Sequence, residues 1–181
     1  MKACFRQKRQ AQEELYNRFS YMVKGVCLRY GKDEVEADDF LQDTFIKTFQ
    51  KLDQYNGSGA LGGWIRRIAV TTALEHIRKQ KIMYSSLTNE IENALEGKTD
   101  ESVFESIDLA VLVSKIQKLP LGYRTVFNLY AVEGYSHKEI SEMINISVGT
   151  SKSQCSRARK ILISELKVEE KKTEKRLNYV R

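Results

Sequence analysis

Residues 135–163 read YSHKEISEMINISVGTSKSQCSRARKILI, and the way this stretch divides decides the fold. Ser136 to Glu139 has the form S-x-x-E, a capping box in which hydroxyl and carboxylate satisfy the first amides of a helix. Ile140, Met143 and Ile144 follow at helical spacing as the inner face of a short helix. Asn145-Ile146 makes a tight turn. Ser147 can then cap a second helix whose inner stripe is Val148, Ser151, Cys155, Ala158 and Leu162. Two short helices joined in this way form a helix-turn-helix.

The opposite face of that second helix carries Thr150, Ser153, Ser156, Arg157 and Lys160, with Lys152 and Arg159 at its edges. Small hydroxyl side chains let a helix approach base edges in the major groove, and cations further along meet phosphates. A solvated basic helix in a bundle is the commoner source of such charges. The cap, the turn and the one-sided basic face together favour DNA binding. Cys155 falls on the inner stripe and reads as core.

Working outward, a single proline and the lack of strand-like alternation point to an all-α chain. Leu109, Leu112, Val113 and Ile116 predict a helix stopped at Leu119-Pro120, and Pro120 suits the first turn of the next. That next helix turns Tyr123, Val126, Phe127 and Tyr130 inward and breaks at Gly134. Near the N-terminus, Leu15, Phe19, Met22, Val23 and Val26 give an amphipathic helix ending near Gly31. Asp33 starts another, with Leu41, Phe45, Thr48, Phe49 and Leu52 on one stripe and Asp39, Gln42, Asp43 and Lys47 toward the other side.

After the glycine-rich break YNGSGALGG, Trp64 is expected to open a third helix. Trp64, Arg67, Thr71, Glu75 and Arg78 share one stripe, and Ile65, Ile68, Ala69, Thr72 and His76 lie on the apolar side. An aromatic among cations beside a glycine loop can receive an unstacked base. A lone Trp is more often core, so both readings stand.

Charge divides the 181 residues into three parts. Residues 1–83 hold 15 basic and 10 acidic residues, residues 84–108 hold 1 and 7, and residues 109–181 hold 14 and 7, within a total of +6. The middle part is polar and acidic and reads as a flexible linker, inert or functional. The expected organisation is an N-terminal helical domain (1–83), the linker (84–108), a C-terminal helix-turn-helix domain (109–168) and a charged tail (169–181).

Cys4, Cys27 and Cys155 have no ligand spacing or disulfide pattern, and His76 and His137 have no ligand neighbours in sequence. No phosphate loop, Ser/His/Asp set or catalytic carboxylate pair stands out. No enzyme activity, cofactor or metal is therefore expected. No apolar run approaches the roughly 20 residues of a membrane span, and the basic-then-acidic N-terminus lacks a secretory signal, so the expected location is the cytoplasm.

These segments resemble, in order and spacing, a bacterial sigma factor of the two-domain extracytoplasmic-function group. DDFLQDTFIKTF is similar to that family's polymerase-clamp helix, WIRRIAVTTALEHIRK to its minus-ten reading and melting helix, and residues 119–162 to its domain for the minus-thirty-five element. S-V-G-T-x-K-S and R-A-R are the most specific matches. The chain departs from the family at Val70, Thr71, Ser151, Gln154 and Cys155, which bears on the promoter sequence and not on the class.

The resemblance implies an alternative sigma factor that binds core RNA polymerase, directs it to promoters and assists melting. Asp39, Gln42, Asp43 and Lys47 would meet the polymerase. Trp64, Arg67, Thr71, Glu75 and Arg78 would hold the minus-ten strand, and Thr150, Lys152, Ser153, Ser156, Arg157 and Lys160 the minus-thirty-five duplex. An anti-sigma factor is a common further partner of such proteins, and the acidic linker would run near the RNA exit channel. Two rivals remain: a helix-turn-helix regulator independent of polymerase, and a sigma-like protein-interaction adaptor.

Overall fold

The computed structural model describes residues 9–84 and 109–179, with side chains over 9–79 and 109–169. The acidic segment 85–108 and the side chains of the charged tail beyond 169 lie outside the described residues. The chain forms two compact units, Met1–Asn89 and Glu90–Arg181. Seven α-helices and no strand occur among the described residues.

The first unit contains α1 (Arg9–Tyr30), α2 (Glu34–Gln50), a short 3-10 turn (Leu52–Gln54) and α3 (Leu61–Tyr84). Each of the three long helices packs on the other two. Gly31 ends α1 as expected, and its amide donates to Cys27 O at 2.8 Å. A Cβ there would stand 3.0 Å from Ala37 N and 3.1 Å from Asp33 O, so a side chain would force the backbone of this tight turn onto α2 to give way. Asp33 caps α2 by accepting from Glu36 N at 2.8 Å, and Glu36 reaches back to Lys32 N at 2.6 Å. The two groups satisfy each other's neighbours across the first turn.

The core of this unit joins Val23, Val26, Cys27 and Tyr30 from α1, Ala37, Phe40, Leu41 and Phe45 from α2, and Ile65, Ile68, Ala69, Val70 and Leu74 from α3. Each large aliphatic or aromatic side chain fully removed from water contributes about 1.5–3 kcal/mol. Cys27 is completely buried, and burial pushes its thiol up to about 12. It is a small apolar packing residue and no nucleophile.

The third helix begins three residues before the expected Trp64, at Leu61. Gly62 and Gly63 are therefore helical, and the break is confined to residues 55–60, where Gly57 (φ 83°) and Gly59 (φ 76°) take the left-handed conformations that preclude a helix.

The second unit contains α4 (Leu109–Gln117), α5 (Leu121–Phe127), a π turn (Asn128–Val132), α6 (His137–Ile144) and α7 (Val148–Tyr179). Its centre is a cluster of Ile116, Leu119, Phe127, Ala158 and Leu162. Pro120 stands one place earlier than expected, at the N-cap of α5, where its carbonyl accepts from Arg124 N at 2.9 Å. Arg124 is itself buried, and its Nη1 donates to Gln117 O at 2.7 Å, tying α5 to the end of α4. Asn128 and Leu129 are also fully buried, while Tyr123 and Tyr130, expected to face inward, are only half-buried. The final helix continues through residue 168 to Tyr179.

Candidate nucleic-acid and polymerase interfaces

The helix-turn-helix forms as its sequence requires. Ser136 Oγ accepts from Glu139 N, and Glu139 Oε2 accepts from Ser136 N at 2.8 Å, completing the capping box of α6. The Ser136 hydroxyl, 2.7 Å from the same carboxylate oxygen, and the Ser136 amide both favour the ionised carboxyl and hold Glu139 below the usual carboxylate range. Asn145 then takes the left-handed conformation (φ 54°, ψ 57°), one that asparagine tolerates better than other side chains. Ser147 Oγ accepts from Thr150 N at 2.9 Å and so caps α7.

Of the stripe expected to face inward on α7, Ser151, Cys155, Ala158 and Leu162 are buried. Val148 is not. It is 38% exposed because it lies in the first turn, ahead of the packing surface, which continues instead through Ile163 and Leu166.

On the outer side, Lys152, Ser153 and Ser156 are exposed, and Thr150, Arg157 and Lys160 are half-buried. The Thr150 hydroxyl lies 2.8 Å from Ser147 Oγ, and Ser153 Oγ donates to Thr150 O at 3.0 Å. The helix start is thereby held stiff while its outer surface stays small and polar. Arg159, at the edge of this face, sits with its guanidinium carbon 5.6 Å from the centre of the Tyr130 ring. That contact turns one of the basic residues toward the π turn.

In the first unit, Arg67, Thr71, Glu75 and Arg78 form an exposed stripe on α3, and Ile65, Ile68, Ala69 and Thr72 are buried behind it. The Thr71 hydroxyl returns to its own helix, donating to Arg67 O and Ile68 O. Val70 is buried, so this departure from the family pattern lies in the core and not on the outer stripe.

Trp64 is neither core nor fully exposed. It is half-buried, with the Tyr55 ring 5.5 Å away at 48°. Tyr55 is positioned in turn by its hydroxyl, which donates to Gly59 O at 2.7 Å, and Asn56 Oδ1 accepts from both Ser58 N and Ser58 Oγ. The glycine-rich segment is thus an internally bonded loop that brings a second aromatic to Trp64. Sequence spacing gave no sign of Tyr55, which precedes the helix and belongs to no stripe.

On α2, Asp39 and Gln42 are exposed, and Asp43 and Lys47 are half-buried. These last two are engaged with α3: Lys47 Nζ lies 2.6 Å from Glu75 Oε2, and Asp43 Oδ2 lies 2.6 Å from His76 Nε2. The Lys47 ammonium holds the Glu75 carboxyl below its ordinary range. His76 is thus an inter-helix partner. Among the described residues no cluster of His, Cys, Asp and Glu could hold a metal ion, and no helix is long and apolar enough to cross a membrane.

Two helical units, one with a basic and aromatic stripe and one with a helix-turn-helix, correspond to known domain families. Residues 15–82 match the family described as Sigma-70 region 2, and residues 109–162 match Sigma-70, region 4. The chain is 31% identical over 155 residues to the RNA polymerase sigma-H factor of Pseudomonas aeruginosa, covering 80% of each chain. It is 32% identical over 152 residues to the ECF RNA polymerase sigma factor SigW of Bacillus subtilis, covering 78% of this chain and 81% of that one. The fold is shared with the sigma factor RpoE of Bartonella quintana, seen in complex with the anti-sigma factor NepR, at a TM-score of 0.52 and 21% identity over 86% of this chain and 96% of that one. The chain belongs to the extracytoplasmic-function (ECF) sigma factors of the sigma-70 family.

Proposed function

We infer that this chain acts as an alternative sigma factor that binds core RNA polymerase, directs it to particular promoters and assists opening of the duplex. The observation that carries this reading is the pairing of two exposed surfaces on the two sigma-type units. One is the small, polar and basic outer face of α7, and the other is the α3 stripe beside the Tyr55–Trp64 loop.

In this reading Asp39, Gln42, Asp43 and Lys47 dock on the polymerase. Trp64, Arg67, Thr71, Glu75 and Arg78 hold the minus-ten strand, with the Tyr55 ring beside Trp64 as part of the surface that receives an unstacked base. Thr150, Lys152, Ser153, Ser156, Arg157 and Lys160 meet the minus-thirty-five duplex, the hydroxyls nearest the bases and the cations on phosphates. Work divides between residues 1–83 and 109–168, joined by 84–108 and followed by the tail. The protein needs no cofactor, catalyses no reaction and works in the cytoplasm with the polymerase, where an anti-sigma factor is a further partner.

In vitro transcription with purified core polymerase and a promoter library tests the whole assignment. Polymerase-dependent initiation from a defined promoter class is the expected result. Sequence-specific duplex binding without any polymerase recruitment would support a conventional regulator instead.

A further inference from the structure

The two helices of the helix-turn-helix are joined by a polar contact between His137 and Ser151. His137, the first residue of α6, stacks on Tyr130 of the π turn with ring centres 4.2 Å apart and planes 8° from parallel. Its Nδ1 lies 2.9 Å from Ser151 Oγ, and Ser151 is completely buried in α7. Arg159 covers the Tyr130 ring at 5.6 Å. One imidazole therefore touches the π turn and the recognition helix at once.

We propose that His137 is a positioning residue for α7: its neutral ring, held between Tyr130 and the Ser151 hydroxyl, sets how the recognition helix is presented to the upstream duplex, and taking up a proton there weakens that presentation. The proposal rests on the assignment of α7 to the minus-thirty-five element. A neutral ring can accept the Ser151 proton at Nδ1 or offer its own, whereas an imidazolium can only offer one. Protonation also places a charge at the N-terminal end of α6, where the helix dipole opposes it.

The surrounding charges act in the same sense. Lys152 and Arg159 on α7 face the ring, and together with burial, the larger cause, they hold His137 below its ordinary value. On α6 itself Lys138 follows, and Glu139 is taken up by Ser136. On the π turn the titratable groups are the stacked Tyr130 phenol and, at its end, Glu133. The sign is the reverse of the usual one. Acidification ordinarily strengthens protein binding to DNA by adding positive charge, whereas here the specific component is lost as pH falls through the range of this histidine.

The test uses holoenzyme assembled from the full chain and core polymerase. The probe is a promoter fragment selected by that holoenzyme from a random pool, with the same fragment bearing a scrambled upstream element as control. Affinity is measured at fixed salt from mildly alkaline to mildly acidic pH. Upstream-specific affinity of the wild type should fall by at least about fivefold, the low end of ordinary coupling between sites. His137→Gln keeps a hydrogen-bonding group without titrating, and should give a flat profile. Ser151→Val leaves the ring titratable but removes its hydrogen-bond partner, and should lower upstream-specific affinity already at the alkaline end, with thermal melting run beside it to confirm the fold. A wild-type profile superimposable on that of His137→Gln, with specific binding intact, would overturn the proposal and leave the assignment of α7 standing. If the scrambled and intact elements bind alike at every pH, the assignment itself fails and the proposal with it.

Discussion

His76 Nε2 lies 2.6 Å from Asp43 Oδ2, and one turn further along α2 Lys47 Nζ lies 2.6 Å from Oε2 of Glu75, the residue before His76. The face of α2 ascribed to polymerase is therefore connected by two side-chain bonds to the helix ascribed to the minus-ten strand. The partners are 33 and 28 residues apart in sequence. A polymerase that pulls on Asp43 or Lys47 also acts on His76 or Glu75, whereas Asp39 and Gln42 stand outside this ladder.

This geometry selects the variant that tests polymerase docking. Asp39→Arg with Gln42→Arg alters two exposed side chains, so it should reduce recovery of core polymerase in a pull-down while thermal stability changes little. Asp43→Arg would set a cation beside His76 and mix a stability effect with the binding effect. Undiminished polymerase recovery by the Asp39/Gln42 variant would remove this face from the interface.

The Lys47–Glu75 pair makes a prediction with a definite pH sign. Glu75 titrates below its unfolded range because of the Lys47 hydrogen bond, so its contribution is present above the ordinary carboxylate range and is lost as pH falls through the depressed folded value. Both side chains keep substantial contact with water, which limits the contribution to about 0.2–1 kcal/mol. Melting curves of wild type and Glu75→Gln should differ at neutral pH and converge in acid. A difference that persists below the carboxylate range would exclude this origin.

Trp64→Ala distinguishes a base receptor from a core residue. With Trp64 half-buried and 5.5 Å from Tyr55, the loss of stability should stay below the roughly 3–5 kcal/mol of a fully buried tryptophan. Promoter opening should slow more than closed-complex formation, and a pre-melted bubble promoter should restore much of the activity. Tyr55→Ala should act in the same direction. Equal losses on duplex and bubble templates would place Trp64 in a structural role.

The helices and most of their inner faces were legible because short-range rules govern them. Asp33, Ser136 and Ser147 cap, Gly31 and Pro120 delimit, and apolar spacing places Ile65, Ile68, Ile140 and Leu162 inside. What escaped the sequence depends on contacts between distant segments. His76 could not be matched to Asp43, nor Tyr55 to Trp64, nor His137 to Ser151, because no local period links them. Nor does any local period link Arg159, at the edge of the outer face, to the Tyr130 ring that its guanidinium covers.

On α7 Arg157 Nη1 donates to the Tyr123 hydroxyl at 3.4 Å, and the Arg159 guanidinium lies over the Tyr130 ring. Arg157→Ala or Lys160→Ala should lower upstream-duplex affinity, and removal of a phosphate contact should reduce the salt slope by about one unit. Arg159→Ala should change the slope less, since its guanidinium lies over Tyr130. Titrations at several salt concentrations decide this, and identical slopes for wild type, Arg157→Ala and Lys160→Ala would argue against phosphate contacts from this face.

Arg124 supplies a stability prediction that charge counting would have missed. A buried arginine is costly unless hydrogen-bonded, and its Nη1 donation to Gln117 O at 2.7 Å offsets part of that cost and closes the C-terminal end of α4. Arg124→Met keeps much of the side-chain length but leaves that carbonyl without its donor, at a cost of about 1–3 kcal/mol. Because α4 and α5 both pack on α7, loosening their junction should also weaken upstream-duplex binding, although Arg124 itself lies inside the fold. The salt slope should stay that of wild type, since no phosphate contact is lost, whereas lower temperature should restore part of the affinity. A salt slope reduced by about one unit with an unchanged melting temperature would instead assign Arg124 to the DNA-contacting surface.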